Sequence, residues 1–234
     1  MMKNLLSTLT GAALLLLSAA CSQDDPTTYR FKTAADQRVA LALSDESQLR
    51  VNAGAGLDYD ADNFDRVVKL DGETFFKVKK TGEPFTIETP NGMVVVPSQA
   101  DVNVWSRGDL LEVSIFGGSA ELRTRSNKLV KKVLTGQAIR TLNGKTDLEW
   151  VIELPASPSW VVGKSEFNNV PFSYVIRELE LQFGLTIQPN NVNVQQRYTG
   201  GFINADLNTA LNMVFSDQGI QYELVDNSVI RLIQ

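Results

Sequence analysis

FNNVPFSYVIRELELQFGLTI, residues 167–187, and FINADLNTALNMVFSDQGIQY, residues 202–222, align without gaps at an offset of 35. Phe167 matches Phe202, Asn169 matches Asn204, Phe172 matches Leu207, Ile176 matches Leu211, Leu179 matches Val214 and Gly184 matches Gly219. Apolar positions and glycines kept at one spacing mark an internal duplication. In the first copy Phe172, Val175, Ile176, Leu179 and Phe183 recur with a helical period, with Asn169 and Pro171 before them and Gly184 after, which predicts a capped helix. Leu207, Ala210, Leu211 and Val214 repeat the stripe ahead of Gly219. Short strands are expected before each helix, at 165–168 and 198–203, and after each, at 185–188 and 220–225; Asp226-Asn227 then turns the chain into a last strand at 229–233. Two β-α-β units of this size predict one small split sheet with both helices on one face. The stripe residues are core, and the surface expected to meet a partner is the edge formed by Val229, Ile230, Arg231 and Leu232, open to strand addition.

Upstream of the duplication, from Thr33 to about Ile152, short alternating or apolar runs recur roughly every ten residues between Gly, Asn, Asp and Pro, with no helical period. This is the pattern of an all-β domain, β-solenoid or sandwich-like, with a barrel also open. Asn91-Gly92, Asn143-Gly144 and Gly117-Gly118 read as turns. Leu70-Asp71-Gly72-Glu73 reads as a strand that breaks at Gly72, leaving Asp71 and Glu73 on a solvated turn. Trp150 and Trp160 bracket Pro155 and Pro158, the expected linker. The fold class is therefore β plus α/β, with the β domain at 33–153, a linker at 154–162 and the duplicated domain at 163–234.

Residues 1–20 read as an export signal: Lys3 is the positive start, Gly11 to Leu17 is apolar, and Ser18-Ala19-Ala20 supplies small residues. LLSAACS, residues 16–22, resembles a bacterial lipoprotein box, which implies lipid attachment at Cys21, the one cysteine of the chain. A lone thiol outside the cytoplasm has no disulfide partner, so a lipid-bearing role accounts for it. Residues 21–32 would be a tether, polar and acidic through Ser22-Gln23-Asp24-Asp25-Pro26. Ser22 after the cysteine favours the outer membrane by analogy with lipoprotein sorting, and Asp24-Asp25 is similar to a surface-export signal. The expected location is the periplasmic side of the outer membrane or the cell surface, with membrane contact through the N-terminal lipid.

Composition removes several functions. The chain has no histidine, so imidazole-based nucleophilic catalysis and the commonest zinc, copper and iron sites lose their main groups. A formal charge of −5 argues against a nucleic-acid partner. Asp58-Tyr59-Asp60-Ala61-Asp62-Asn63-Phe64-Asp65 starts like a calcium loop, but position twelve is Lys69 and helical patterns are missing around it; an acidic surface loop is the main reading. Arg123, Arg125, Lys128, Lys131 and Lys132 form a basic cluster, read as a solvated face with lipid head groups or an acidic partner as the lesser alternative. No catalytic residue, metal site or cofactor is assigned.

Leu43-Ser44-Asp45, VNAGAGLDY at 51–59, RVVKLDGETFFKV at 66–78 and PFTIETPNG at 84–92 stand in an order that resembles the periplasmic domain of the FecR family, the sensor half of bacterial anti-sigma regulators. The residues from about Trp160 onward are similar to the short signalling (STN) domain of secretins and TonB-dependent transporters, which follows the FecR domain in many anti-sigma proteins. The resemblance implies cell-envelope signalling by protein contact rather than catalysis, the partner being a TonB-dependent transporter or a component of a sigma/anti-sigma system. That family begins with a cytoplasmic sigma-binding segment and a membrane-spanning helix, and 32 residues precede the match here, so direct sigma-factor inhibition is not expected. The alternative function is a structural or ligand-binding surface lipoprotein.

Overall fold

The structure, a computed structural model, describes residues 28–153, 155–226 and 228–233; the expected signal segment, Cys21 and the tether through residue 27 lie outside them. The first strands are β1 (Thr28–Lys32), β2 (Val39–Ala42), β3 (Gln48–Val51), β4 (Gly56–Asp60), β5 (Val67–Val78) and β6 (Phe85–Thr89). They are followed by β7 (Gly92–Val96), β8 (Ala100–Arg107), β9 (Leu110–Arg123), β10 (Leu129–Leu134), β11 (Gln137–Leu142) and β12 (Lys145–Val151). A short 3-10 turn at Ser159–Val162 leads into β13 (Lys164–Pro171), α1 (Phe172–Phe183), β14 (Thr186–Gln188), β15 (Arg197–Ile203), α2 (Leu207–Val214), β16 (Gln221–Asp226) and β17 (Val229–Ile233).

The first twelve strands form two sheets around one apolar core, in the orders β1-β4-β5-β6-β7-β9-β10 and β2-β3-β5-β8-β9-β11-β12. This is the sandwich-like alternative. The sheets are continuous because β5 and β9 each leave one and enter the other. Val67–Asp71 pair in the first sheet, and the strand crosses to the second at Gly72, whose φ of +121° only glycine adopts readily. A Cβ on Gly72 would stand 2.6 Å from Ala55 Cα. β9 crosses at Gly118, where a side chain would collide with the Gln99 carbonyl. Gly72 is thus no strand end, and Gly117-Gly118 is no turn: both are corners inside long strands, a usual role of glycine where a sheet bends. Beyond the corner, Phe76 enters the sandwich core while Phe75 faces outward and packs edge-on against Phe116 at 5.6 Å.

In the C-terminal part the duplication holds, but its strands divide into two small sheets rather than one split sheet. The first strands of the copies pair antiparallel as β13-β15, and the second strands flank the last one in the order β14-β17-β16. Each helix carries the chain from one sheet to the other, and β17 inserts between β14 and β16. Gly184 and Gly219 take the expected left-handed conformation after the helical segments. The start signals differ: Pro171 is the N-cap of α1, and Asp206 caps α2 by accepting from the Thr209 N–H.

The α1 helix buries two stripes. Phe172, Val175, Ile176 and Leu179 enter the C-terminal core. Tyr174, Glu178, Leu181 and Gln182, also at helical spacing, turn to the β domain. The close approach is set at Gly54, where a Cβ would strike Leu181, and by the Asp36 N–H, which donates to the Leu181 carbonyl at 2.7 Å. Trp105 and Leu110 from the second sheet complete the C-terminal core, so the outer face of that sheet is its floor.

Candidate functional site

The junction between the β domain and the C-terminal domain is built on that outer face. Val102, Val104 and Val113 point into the sandwich, so the alternate residues of the same strands point away from it. Glu73, Trp105 and Glu112 stand directly opposite one another on β5, β8 and β9, and Arg140 on β11 extends the row. Phe75, Asn103 and Ser114 form the next row, continued through Ala138 to Trp150.

Over the first row lies a buried polar seam. Asn52 Nδ2 donates to Glu73 Oε2 at 2.8 Å and to Glu178 Oε1 at 3.1 Å, and Asn103 Nδ2 donates to Glu73 Oε1 at 2.8 Å. Gln182 Nε2 donates to Asn52 Oδ1 at 2.9 Å and to Glu178 Oε1 at 2.6 Å. Trp160, from the linker, donates its indole N–H to Asn103 Oδ1 at 3.0 Å. Arg38 donates to Gln182 Oε1, and Arg107 stands 4.0 Å from Glu178 while bonding the carbonyls of Ala53 and Gly54. Three parts of the chain, β domain, linker and α1, therefore close on one pair of carboxyls. Burial, and after it the nearby Glu178 carboxylate, push the Glu73 carboxyl up to about 8. Both Glu73 oxygens accept amide N–H groups, and through Asn52 and Asn103 the cluster ties the sheet to α1 and to the linker.

A second clamp lies along the same seam. The fully buried Arg140 donates to Asp147 Oδ2 at 2.9 Å, to Glu112 Oε2 at 3.3 Å, and to the carbonyls of Asn168 and Asn169 at 2.8 Å each. Those carbonyls are free to accept because the β13-β15 register shifts between Phe167 and Val170, with Asn169 at φ 53°. Arg197 bonds both Asp147 oxygens, at 2.7 and 3.0 Å, and this holds the Asp147 carboxyl below its usual range. Glu112 is raised to about 7 because burial outweighs the pull of Arg140.

Between these two polar groups is a cavity of about 900 Å³, walled by the outer face of the second sheet, the linker, β13 and α1. All three tryptophans of the chain, Trp105, Trp150 and Trp160, line it.

The residues expected to meet a partner do not form an edge. β17 is the middle strand of its sheet, with Val229–Arg231 paired to β14 and the strand paired to β16 on its other side; Ile230 and Leu232 are 1% and 0% exposed. The nearly unbroken apolar composition of VIRLI fits such a central position. The edges of that sheet are β14 and β16; Ile187 of β14 is buried, whereas Leu224 and Val225 of β16 are 63% and 45% exposed. Cys21 lies outside the described residues. In the acidic loop, Asp58 pairs with Arg30, and Asp60 Oδ1 accepts the N–H groups of Asp62 and Asn63, so these carboxylates serve strand pairing and the turn. Among the described residues no group of acidic, histidine or cysteine side chains is arranged to hold a metal. In the basic cluster Arg123 pairs with Glu121 and Lys131 with Glu149.

Glu73, Glu178, Glu112, Arg140 and Asn103 escape a reading by local composition. The signals that could find them are Asn103 and Trp105 at alternate strand positions, and Glu178 and Gln182 at i, i+4 inside a helix already buried on another face.

Residues 29–121 match the family described as FecR protein, and residues 164–231 match FecR, C-terminal. Two crystal structures of a "putative anti-sigma factor" from Parabacteroides distasonis, at 1.65 and 2.50 Å resolution, are similar to this chain. Both are 25% identical, cover 88% of this chain and 99% of their own, and superpose with TM-scores of 0.78 and 0.79. No curated protein matches the sequence.

Proposed function

The chain carries a FecR-family domain followed by a FecR C-terminal domain, and from that premise we propose that it works in envelope signalling by contact with other proteins, without catalysis. The observation that carries this reading is the joint arrangement: both domains are fastened by a buried polar seam into one body, in the same architecture as the Parabacteroides anti-sigma factor candidate. Such a body transmits an event at one domain to the other through side chains that cannot be separated without exposing charge.

In this reading the N-terminal segment is removed at export, Cys21 is acylated, and the protein is held at the outer membrane or cell surface by its lipid. The C-terminal domain is the counterpart of the STN signalling domain, supported by its two strand-helix-strand copies. Its partner is a TonB-dependent transporter or a component of a sigma/anti-sigma system. If strand addition is the mode of contact, β16 rather than the other edge, β14, is the strand that receives it, since Leu224 and Val225 present apolar side chains to water there.

The test is a pull-down from solubilised envelopes with the full chain beside a Cys21→Ser control. The reading expects a transporter or regulator to co-purify, and expects Cys21→Ser to lose fatty-acid labelling and membrane association. A wild-type sample that is labelled and membrane-bound yet recovers no transporter, receptor or regulator contradicts the signalling reading and leaves a structural surface lipoprotein.

A further inference from the structure

The segment from Arg123 to Lys132 holds five of the 22 basic residues of the chain and none of its 27 acidic ones, in a protein whose formal charge is −5. It covers the end of β9, the turn after it and most of β10, and β10 is an open edge of the first sheet, paired to β9 alone. Two of the cations are neutralised: Arg123 is held by Glu121 at 2.5 Å and Lys131 by Glu149 at 2.8 Å. Arg125, Lys128 and Lys132 are exposed, and among the described residues their side chains have no hydrogen-bond or ion-pair partner. Five cations against two carboxylates leave a local surplus of three positive charges.

The same strand carries exposed apolar side chains. Leu129, Val130 and Leu134 are 50%, 40% and 47% exposed. Val133 enters the sandwich core, so Lys132 and Leu134 on either side of it point out from the sheet. The Thr124 N–H donates to the Lys128 carbonyl and the Asn127 N–H to the Thr124 carbonyl, which fixes the turn that carries Arg125 and Lys128 at the start of β10. A purely solvated face gains nothing from leucine and valine set among its lysines. An acidic strand from another protein would have to pair along β10, and the register shift between Leu129 and Lys131 interrupts that edge. A bilayer surface takes both kinds of group at once: phosphates meet the cations, apolar side chains enter the layer beneath them, and lysine stems reach back to the charged level.

We propose that this edge of the β domain docks on an anionic lipid bilayer, with Arg125, Lys128 and Lys132 on headgroup phosphates and Leu129, Val130 and Leu134 within the headgroup layer. The contact rests neither on acylation of Cys21 nor on a signalling partner. It sets which face of the β domain lies against the membrane, and β16, in the other domain, is not part of it.

The test is co-sedimentation with vesicles of the chain from Ser22 onward, which keeps every described residue and has no cysteine to carry a lipid. The expected result is binding to phosphatidylglycerol vesicles, little to phosphatidylcholine vesicles, and release as salt is raised to about 1 M, where the screening length is about 3 Å. Neutralising one cation is expected to weaken binding about fivefold, and Arg125→Gln, Lys128→Gln and Lys132→Gln together about a hundredfold. Lys79→Gln, Lys80→Gln and Lys145→Gln together remove the same charge from exposed positions elsewhere on the β domain and are expected to bind like the unaltered chain. Leu129→Ser with Leu134→Ser is expected to weaken binding to phosphatidylglycerol vesicles, and all these variants to keep their far-ultraviolet circular dichroism, since the altered side chains are exposed. Equal binding to the two kinds of vesicle, equal losses in the two triple variants, or undiminished binding in the Leu129→Ser, Leu134→Ser chain overturns the proposal. Saturable binding of a polyglutamate peptide without binding to any vesicle also overturns it, and assigns the patch to an acidic protein.

Discussion

Arg140 has no accessible surface and donates to two carboxylates and two main-chain carbonyls across the domain junction. Arg140→Ala leaves the half-buried Glu112 without its cation, Asp147 with Arg197 alone and the Asn168 and Asn169 carbonyls without this donor, and the expected loss is about 3 kcal/mol of unfolding free energy in urea titration. Arg140→Lys is expected to restore little, because one ammonium cannot span acceptors laid out for a planar fork. Glu73 gives a pH signature. Its folded carboxyl lies near 8, above the ordinary 4.5, so its neutral form contributes stability fully below about pH 4.5, and this is lost as pH rises through about 8. Glu112 acts in the same direction up to about 7. Stability measured by urea titration is therefore expected to fall between pH 5 and pH 8, and Glu73→Gln to flatten that slope; an unchanged slope would remove Glu73 as its source. None of this is legible locally, since Asp-Gly beside Glu73 is a turn signal in composition, and only the pairing of β5 with β8 reveals a buried carboxyl.

At the scale of elements, the helices, their apolar stripes and their glycine stops can be read from the sequence, because the helical period and the left-handed glycine are local physics. The corners and the sheet partition cannot. Gly72 and Gly117-Gly118 carry the composition of turns, and what makes them corners is the closeness of Ala55 and of the Gln99–Ala100 backbone, far away in sequence. Gly118→Ala should therefore cost more than Gly144→Ala: both have positive φ, worth roughly 1–2 kcal/mol of strain, but a Cβ at Gly144 meets nothing within 4 Å. Thermal denaturation of the two variants checks this, and equal losses would contradict the corner role. Asp206→Ala, which removes the cap of α2, should lower the melting temperature in the same assay. The edge assignment of β17 fails for a related reason: partners on both sides of a short strand come from β14 and β16, and their order is a property of the tertiary fold.

For the whole molecule, the polar seam and the sharing of Trp105 and Leu110 with the C-terminal core predict that the two domains unfold together. Calorimetry of the full chain is expected to show one transition with matching calorimetric and van't Hoff enthalpies; two separated transitions would mean that the domains are independent. The central claim, signalling by protein contact, is tested most directly in living cells with a photo-crosslinking residue at position 224, on the exposed edge of β16, and at position 134 on the β domain as comparison. The account predicts a crosslink from position 224 to a transporter or a sigma/anti-sigma component, absent from position 134 and competed away when the partner is depleted. Adducts at position 224 that contain no such protein, or that match those at position 134, would contradict it.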